Sequence, residues 1–262
     1  MIRTVSATKY VTPLREGGSL PAIIEGDDDG TYVLKFRGAG QGAKSLVAEL
    51  LAGEMARALG LPVPEIVFVE LDEALAKTEP DPEIQDLVKA SVGLNLALDY
   101  LPGSFSFDPL VPQSIENNAR LASQLVWFDA LTTNVDRTPR NTNLLVWHGN
   151  LWLIDHGAAL YFHHSWDEYL ERAASKFPQI KEHTLLPWAS EIRGADAELS
   201  TRLTPEIIGR IVEQIPDSWL VKDSPFASAE EHRAAYREYF ARRLEGPRAW
   251  VEEAVHARTL LV

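Results

Sequence analysis

The 262-residue chain contains no cysteine, which excludes disulfides and thiolate metal sites. It has no run approaching the roughly 18 apolar residues that a membrane-spanning helix needs. Its opening, "MIRTVSATKYVTPLREGG", lacks the continuous apolar segment of a secretory leader. With neither leader nor disulfides, a cytoplasmic bacterial-type enzyme without membrane association is expected. Positive charge is scarce: 25 Lys and Arg stand against 38 Asp and Glu, a formal net charge of −13. A general nucleic-acid binder needs the reverse balance, because its affinity rests on neutralising phosphates. His163 and His164, beside Trp166, have no further histidine or carboxylate at zinc-ligand spacing and read as loop or packing residues. Internal repeats and low-complexity tracts are also missing.

What is present suits a globular enzyme. The chain is 45% apolar and 24% charged, enough for a substantial core in one large domain or two modest lobes. Its first hundred residues read as β-rich with one helix. "SLPAIIEG" and "TYVLKF" are short apolar runs split by the hairpin signal "DDDG". "KSLVAELLAGEMARALG" carries a broad apolar stripe at helical spacing and stops at Gly60 and Pro62. "EIVFVEL" and "VGLNLALDYLPG" are further strands, with the acidic "TEPDPE" between them as an exposed loop. Beyond Gly103 the pattern turns helical, first in "SIENNARLASQLVWFDALTTN". Then come "TPEIIGRIVEQI", with Thr204 as N-cap and Pro205 in the first turn, and "SAEEHRAAYREYFARRLEG", with Ser228 and Glu231 at capping-box spacing. Gly246-Pro247 breaks the pattern before "RAWVEEAVHART". The expected class is α+β: a small β-rich N-terminal lobe over residues 1–100 and a larger helical C-terminal lobe over 101–262, joined near Leu98–Gly103.

The stretch "NVDRTPRNTNLLVWHGNLWLIDHG" carries the chemistry. Two apolar runs around a His-Gly-Asn turn make a hairpin, but a hairpin does not require Asp136 and Asn141 before it and Asp155 after it. Phosphoryl transfer does: it needs metal ions and a cation to neutralise phosphate charge, and an acid to orient the acceptor hydroxyl. Asp136 and Asn141 stand five positions apart, the spacing of a kinase catalytic loop, and Asp155 with Gly157 stands where a second metal-binding acid belongs. The competing explanation is that all three merely cap turns, as Asp and Asn often do; it treats three coincidences as unrelated. His156 reads as a structural neighbour of Asp155.

Lys35, in the apolar strand "YVLKF", offers the cation, since an unpaired ammonium there is costly to bury; an exposed face of the strand is the other reading. Its counter-ion lies on the following helix. Glu49 sits on a small-residue face with Ala52, Gly53 and Ala56, whereas Glu54 falls inside the apolar stripe, and spacing alone does not choose between them. Two glycine-rich segments offer backbone N–H groups to phosphates: "REGGSLP", with Gly17, Gly18 and Ser19, and "RGAGQGAKS", which leads into the helix. The first has the order expected of a loop covering a nucleotide and is favoured.

In this order the elements resemble the HipA-like kinases, a bacterial branch related in fold to protein kinases and phosphatidylinositol kinases. "YVLKF", "AELLAGEMARALGLPVP", "FDALTTNVDRTPRNTNLLV" and "LIDHG" carry the resemblance. It implies a bilobal protein-kinase-like fold using ATP and Mg2+. Lys35 is then the nucleotide-contacting lysine, Glu49 rather than Glu54 its partner, and Asp136 the acceptor-orienting acid. Asn141 and Asp155 become metal ligands, and Leu98, Asp99, Tyr100 and Leu101 a hinge whose backbone meets adenine. The implied acceptor is a Ser or Thr hydroxyl on a protein. A small-molecule or lipid kinase, or a nucleotide-binding pseudokinase, is the alternative. The sequence departs from the family at Thr138, where a His commonly follows Asp-Arg, and in the short stretch before its first strands.

Overall fold

The computed structural model describes residues 2–14, 20–111, 118–222 and 224–261. Strands β1 (Thr4–Pro13), β2 (Ala22–Gly26), β3 (Thr31–Lys35), β4 (Ile66–Leu71) and β5 (Gly93–Asp99) close into a barrel in the order β1-β2-β3-β5-β4. β2 and β3 form the expected hairpin around "DDDG", where Asp28 accepts from the Gly30 N–H and the Tyr32 hydroxyl. Closure depends on β1, which runs antiparallel to β2 and parallel to β4 (Val5↔Val69). That strand gives little sequence signal, because of its ten residues only Val5 is buried. Val5, Ile24, Tyr32, Leu34, Val67 and Val69 fill the barrel.

Helix α1 (Ala43–Ala58) follows β3 and stops where Gly60 takes a left-handed φ of 80°. Every residue from Leu46 to Gly53 is buried, and so are Met55 and Ala56. The helix is therefore covered on nearly all sides rather than along one stripe. It packs in one continuous core with Ile66 and Phe68 of the barrel's outer face and with the helical part of the chain. Gly53 meets the Ile66 side chain so closely that an added Cβ would lie 2.4 Å from it. The segment between β4 and β5 is not simply the exposed loop expected from "TEPDPE": a 3₁₀ turn (Glu73–Thr78) is followed by helix α2 (Pro82–Ala90). Asp81 caps α2 by accepting from the Glu83 N–H, and Pro82 opens its first turn, so the acidic run is itself a helix-start signal.

Helix α3 (Ala119–Thr132) ends at Thr133, whose φ of 51° turns the chain out of the helix and into the Asp136 segment. The expected helix began earlier, at Ser114, but residues 112–117 lie outside those described. A three-stranded sheet joins β6 (Phe105–Ser106), β7 (Leu144–Trp147) and β8 (Asn150–Leu153). Its β7–β8 hairpin turns at His148 and Gly149, both at positive φ, as a type I′ turn demands. Helices α4 (Tyr169–Ala173), α5 (Ile192–Arg202), α6 (Pro205–Val212), α7 (Asp217–Leu220), α8 (Ala229–Leu244) and α9 (Ala249–Thr259) complete the chain. Thr204 and Ser228 cap α6 and α8 as their spacing predicts. From α8, the buried Arg243 donates to the carbonyls of Ala130 and Leu131 at the end of α3 and stacks over Trp250. Its charge sits at the negative end of the helix that delivers Asp136, a favourable placement.

Candidate active site

A cavity of about 510 Å³ opens between the barrel and the β7–β8 hairpin. Lys35 enters it from the last position of β3. The Lys35 side chain is 12% exposed, so of the two readings open for it the buried, paired one holds. Its Nζ lies 2.8 Å from Asp155 Oδ1 and 4.0 Å from Glu49 Oε2. Burial by itself lowers the pKa of this ammonium, but the Glu49 and Asp155 carboxylates outweigh it; the net shift is upward, so Lys35 stays charged. Glu49 is fully buried and also accepts from the His156 backbone N–H at 2.9 Å, with His156 Nδ1 at 3.3 Å from its other oxygen. Desolvation raises its pKa, yet Lys35 and then His156 hold it well below the usual carboxylate range. Glu54 instead pairs with Arg57 at 3.2 Å, away from Lys35.

The other acids come from the ends of the hairpin. Asp136 lies in the loop that follows α3, and its Oδ2 accepts from Asn141 Nδ2 at 2.7 Å and from Asn143 Nδ2 at 3.2 Å. Asp155 follows β8 with a left-handed φ of 54°, and its side chain is 40% exposed. Backbone held in this sparsely populated region is a recurrent mark of functional sites. Asp136, Asn141, Asn143 and Asp155 all line the cavity. So do Leu98, Asp99, Tyr100 and Leu101, at the end of β5 and just beyond it. Val33, Leu145 and Ile154 give the same cavity an apolar wall, the composition of a small-molecule site. Gly17, Gly18 and Ser19 lie outside the described residues. The second glycine-rich segment is described, and Ala39, Gly40, Gln41 and Ser45 line the cavity beside Lys35.

Beneath the loop lies a buried ionic network. Asp129, in α3, accepts from Arg137 Nε, from Asn134 Nδ2 at 3.1 Å and from His183 Nε2 at 2.9 Å. The Leu185 N–H donates to His183 Nδ1, which assigns the ring proton to Nε2. Arg137 reaches on to the carbonyls of Asn143 and Ile154, the latter at 3.4 Å. One guanidinium thus joins the residue after Asp136 to the residue before Asp155. Desolvation opposes the Asp129 charge, but Arg137 and then His183 prevail, and its pKa is strongly lowered.

The family model for HipA-like kinases matches residues 8–252. The chain belongs to that family. It is a HipA-like kinase, and hence a phosphotransferase. No curated protein matches it. Among solved structures it is similar over its whole length to the Helicobacter pylori proinflammatory kinase CtkA, with a TM-score of 0.55, 12% identity and 99% of that chain covered. A second similar structure is the Golgi casein kinase, with a TM-score of 0.51, 11% identity, and coverage of 97% of this chain and 72% of that one. At such identities the likeness establishes a kinase-like α+β fold. The sequence reading of this HipA-like kinase missed Asn143 as a cavity residue, and the Asp129–Arg137–His183 network. One signal was present: Asp129 interrupts the apolar run "LVWFDAL" on a helix, where an unpaired carboxylate is costly. Nothing in the sequence marks His183, which lies 54 residues away.

Proposed function

We propose that this kinase transfers the γ-phosphoryl group of ATP to a hydroxyl, that of a protein Ser or Thr, in a cleft between an N-terminal lobe over residues 1–100 and a C-terminal lobe over 101–262. The observation that carries the proposal is Lys35, held charged between Glu49 and Asp155 in the same cavity as Asp136. In this reading Lys35 binds phosphate oxygens, and Glu49 sets the direction of its side chain. Leu98–Leu101 and the apolar wall hold the base. Gly40 and Gln41 offer a polar edge near the phosphates; the covering loop expected at Gly17, Gly18 and Ser19 lies outside the described residues and is kept as part of the proposal. Asp136 takes the acceptor proton through the carboxylate oxygen that Asn141 and Asn143 leave free, which suits an acid that orients a hydroxyl.

The donor chemistry fits Mg2+, a hard cation that takes oxygen ligands and is commonly held by one or two carboxylates together with substrate phosphates. Asp155 and the amide oxygen of Asn141 are the ligands this chain supplies, and Asn141 donates its nitrogen to Asp136, so its oxygen is the end left over. Among the described residues no group of three or more His, Asp or Glu could hold an ion by itself. A bound divalent cation supplies charge neutralisation on the phosphates. The acceptor class follows the family resemblance, and a cytoplasmic location is part of the same proposal; among the described residues no helix is long and apolar enough to cross a membrane.

The test is incubation with γ-labelled ATP and Mg2+, alone and with cell lysate, for the wild type and Asp136→Asn. Label is expected on protein Ser or Thr. The variant should lose at least about a hundredfold in transfer, the scale of a positioned base. Its nucleotide affinity by calorimetry should change by less than about tenfold, or about 1.4 kcal/mol. Label on a small molecule or lipid overturns the acceptor class. Nucleotide binding with no transfer by the wild type identifies a pseudokinase.

A further inference from the structure

Asp136 makes a second contact within the cavity that the proposed transfer does not by itself require. Asn141 and Asn143 both donate to Asp136 Oδ2, at 2.7 Å and 3.2 Å. Asn141 is exposed and is the amide assigned to the metal, whereas Asn143 is buried at the mouth of the β7–β8 hairpin. Its φ of 47° is left-handed, a conformation Asn adopts more readily than most residues. In that conformation its carbonyl accepts from Arg137 and from the Ile154 N–H at 3.1 Å, while its amide meets Asp136. The backbone of Asn143 is thus fixed by the residue following Asp136 and the residue preceding Asp155. From that fixed backbone its side chain bonds the carboxylate.

We infer that Asn143 is a positioning residue for Asp136: its amide fixes the rotation of the carboxylate, so that Oδ1 faces the acceptor hydroxyl even when the Asn141 amide is drawn to metal. The inference rests on the proposed role of Asp136. A fixed carboxylate angle raises the rate of transfer and leaves nucleotide binding alone, because the amide touches the acid and not the nucleotide-contacting Lys35.

The test uses Asn143→Gly and Asn143→Asp. Glycine adopts the left-handed φ freely and keeps the carbonyl, so the hairpin mouth is preserved while the amide is removed. Aspartate keeps the volume but replaces the donor with a charge facing Asp136. Both variants should lose roughly ten- to a hundredfold in kcat, the range expected for a hydrogen bond to a charged group, with KM for ATP within about twofold of wild type. In an Asp136→Asn background, Asn143→Gly should cost less than about threefold, because its effect passes through the acid. Full kcat in a folded Asn143→Gly or Asn143→Asp protein overturns the inference, and so does an equal loss in both backgrounds. If Asp136→Asn alone is fully active, the role of Asp136 fails instead. Should the glycine variant not fold, the aspartate variant decides the matter by the same kcat criterion.

Discussion

Replacing Asp129 by Ala tests whether the buried network builds the active site. The carboxylate is wholly inaccessible and receives Arg137, Asn134 and His183. Truncation leaves a guanidinium and an imidazole buried without their acceptor. Removing one partner of a buried ion pair costs about 3–5 kcal/mol. At about 2–4 °C per kcal/mol for a chain of this size, Tm should fall by roughly 6–20 °C. Urea unfolding followed by tryptophan fluorescence measures the loss. Activity is compared at a temperature where both proteins are folded, and it too should fall, because Arg137 then no longer ties the Asn143 and Ile154 carbonyls to α3. The double variant Asp129→Leu with Arg137→Met removes both charges and should be less destabilised than Asp129→Ala, since an apolar replacement leaves no orphaned ion. A loss below about 1 kcal/mol with full activity would refute this account of the network.

Two further outcomes follow from the same geometry. Glu49→Gln should raise KM for ATP and slow transfer, while Glu54→Gln, whose carboxylate pairs with Arg57, should change neither by more than about twofold; steady-state kinetics with the reverse pattern would discard the assignment of the Lys35 partner. Stability should be flat between about pH 7.5 and 9 and fall below about 6.5. Desolvation lowers the folded pKa values of His163 and His183, so in that range the unfolded chain binds protons the folded one refuses, at up to about 1.4 kcal/mol per pH unit for each. The depressed Glu49 and Asp129 act with the same sign further down: their contribution is fully present above the ordinary carboxylate range and is lost as pH falls from there through their lower folded values. An unfolding midpoint in urea that is unchanged between pH 8 and pH 5 would contradict this.

How much of this was legible in the sequence varied with the kind of signal. Motif spacing located Asp136, Asn141 and Asp155, and the cavity brings the three together. Local turn and cap chemistry located the β2–β3 hairpin and the starts of α6 and α8. Periodicity failed in two places for physical reasons. β1 is exposed along most of its length and so shows no alternation, and α1 is covered almost all round, so a stripe argument could not separate Glu49 from Glu54. The Asp129–His183 contact belongs to tertiary structure alone, with no local pattern to announce it.

The burial of α1 has a mechanical consequence. A helix used as a switch must leave its seat at low cost, which means one face open to water. Here Leu46, Val47, Leu50, Leu51 and Met55 are all fully covered, and exposing each costs about 1.5–3 kcal/mol. Swinging Glu49 away from Lys35 by displacing α1 would therefore cost on the order of 10 kcal/mol, comparable to the whole stability of a domain. The helix behaves as an axle rather than a lever. On the proposed reading, the Lys35–Glu49–Asp155 contact changes at its partially exposed end, where Asp155 takes up the metal ion while the helix stays still.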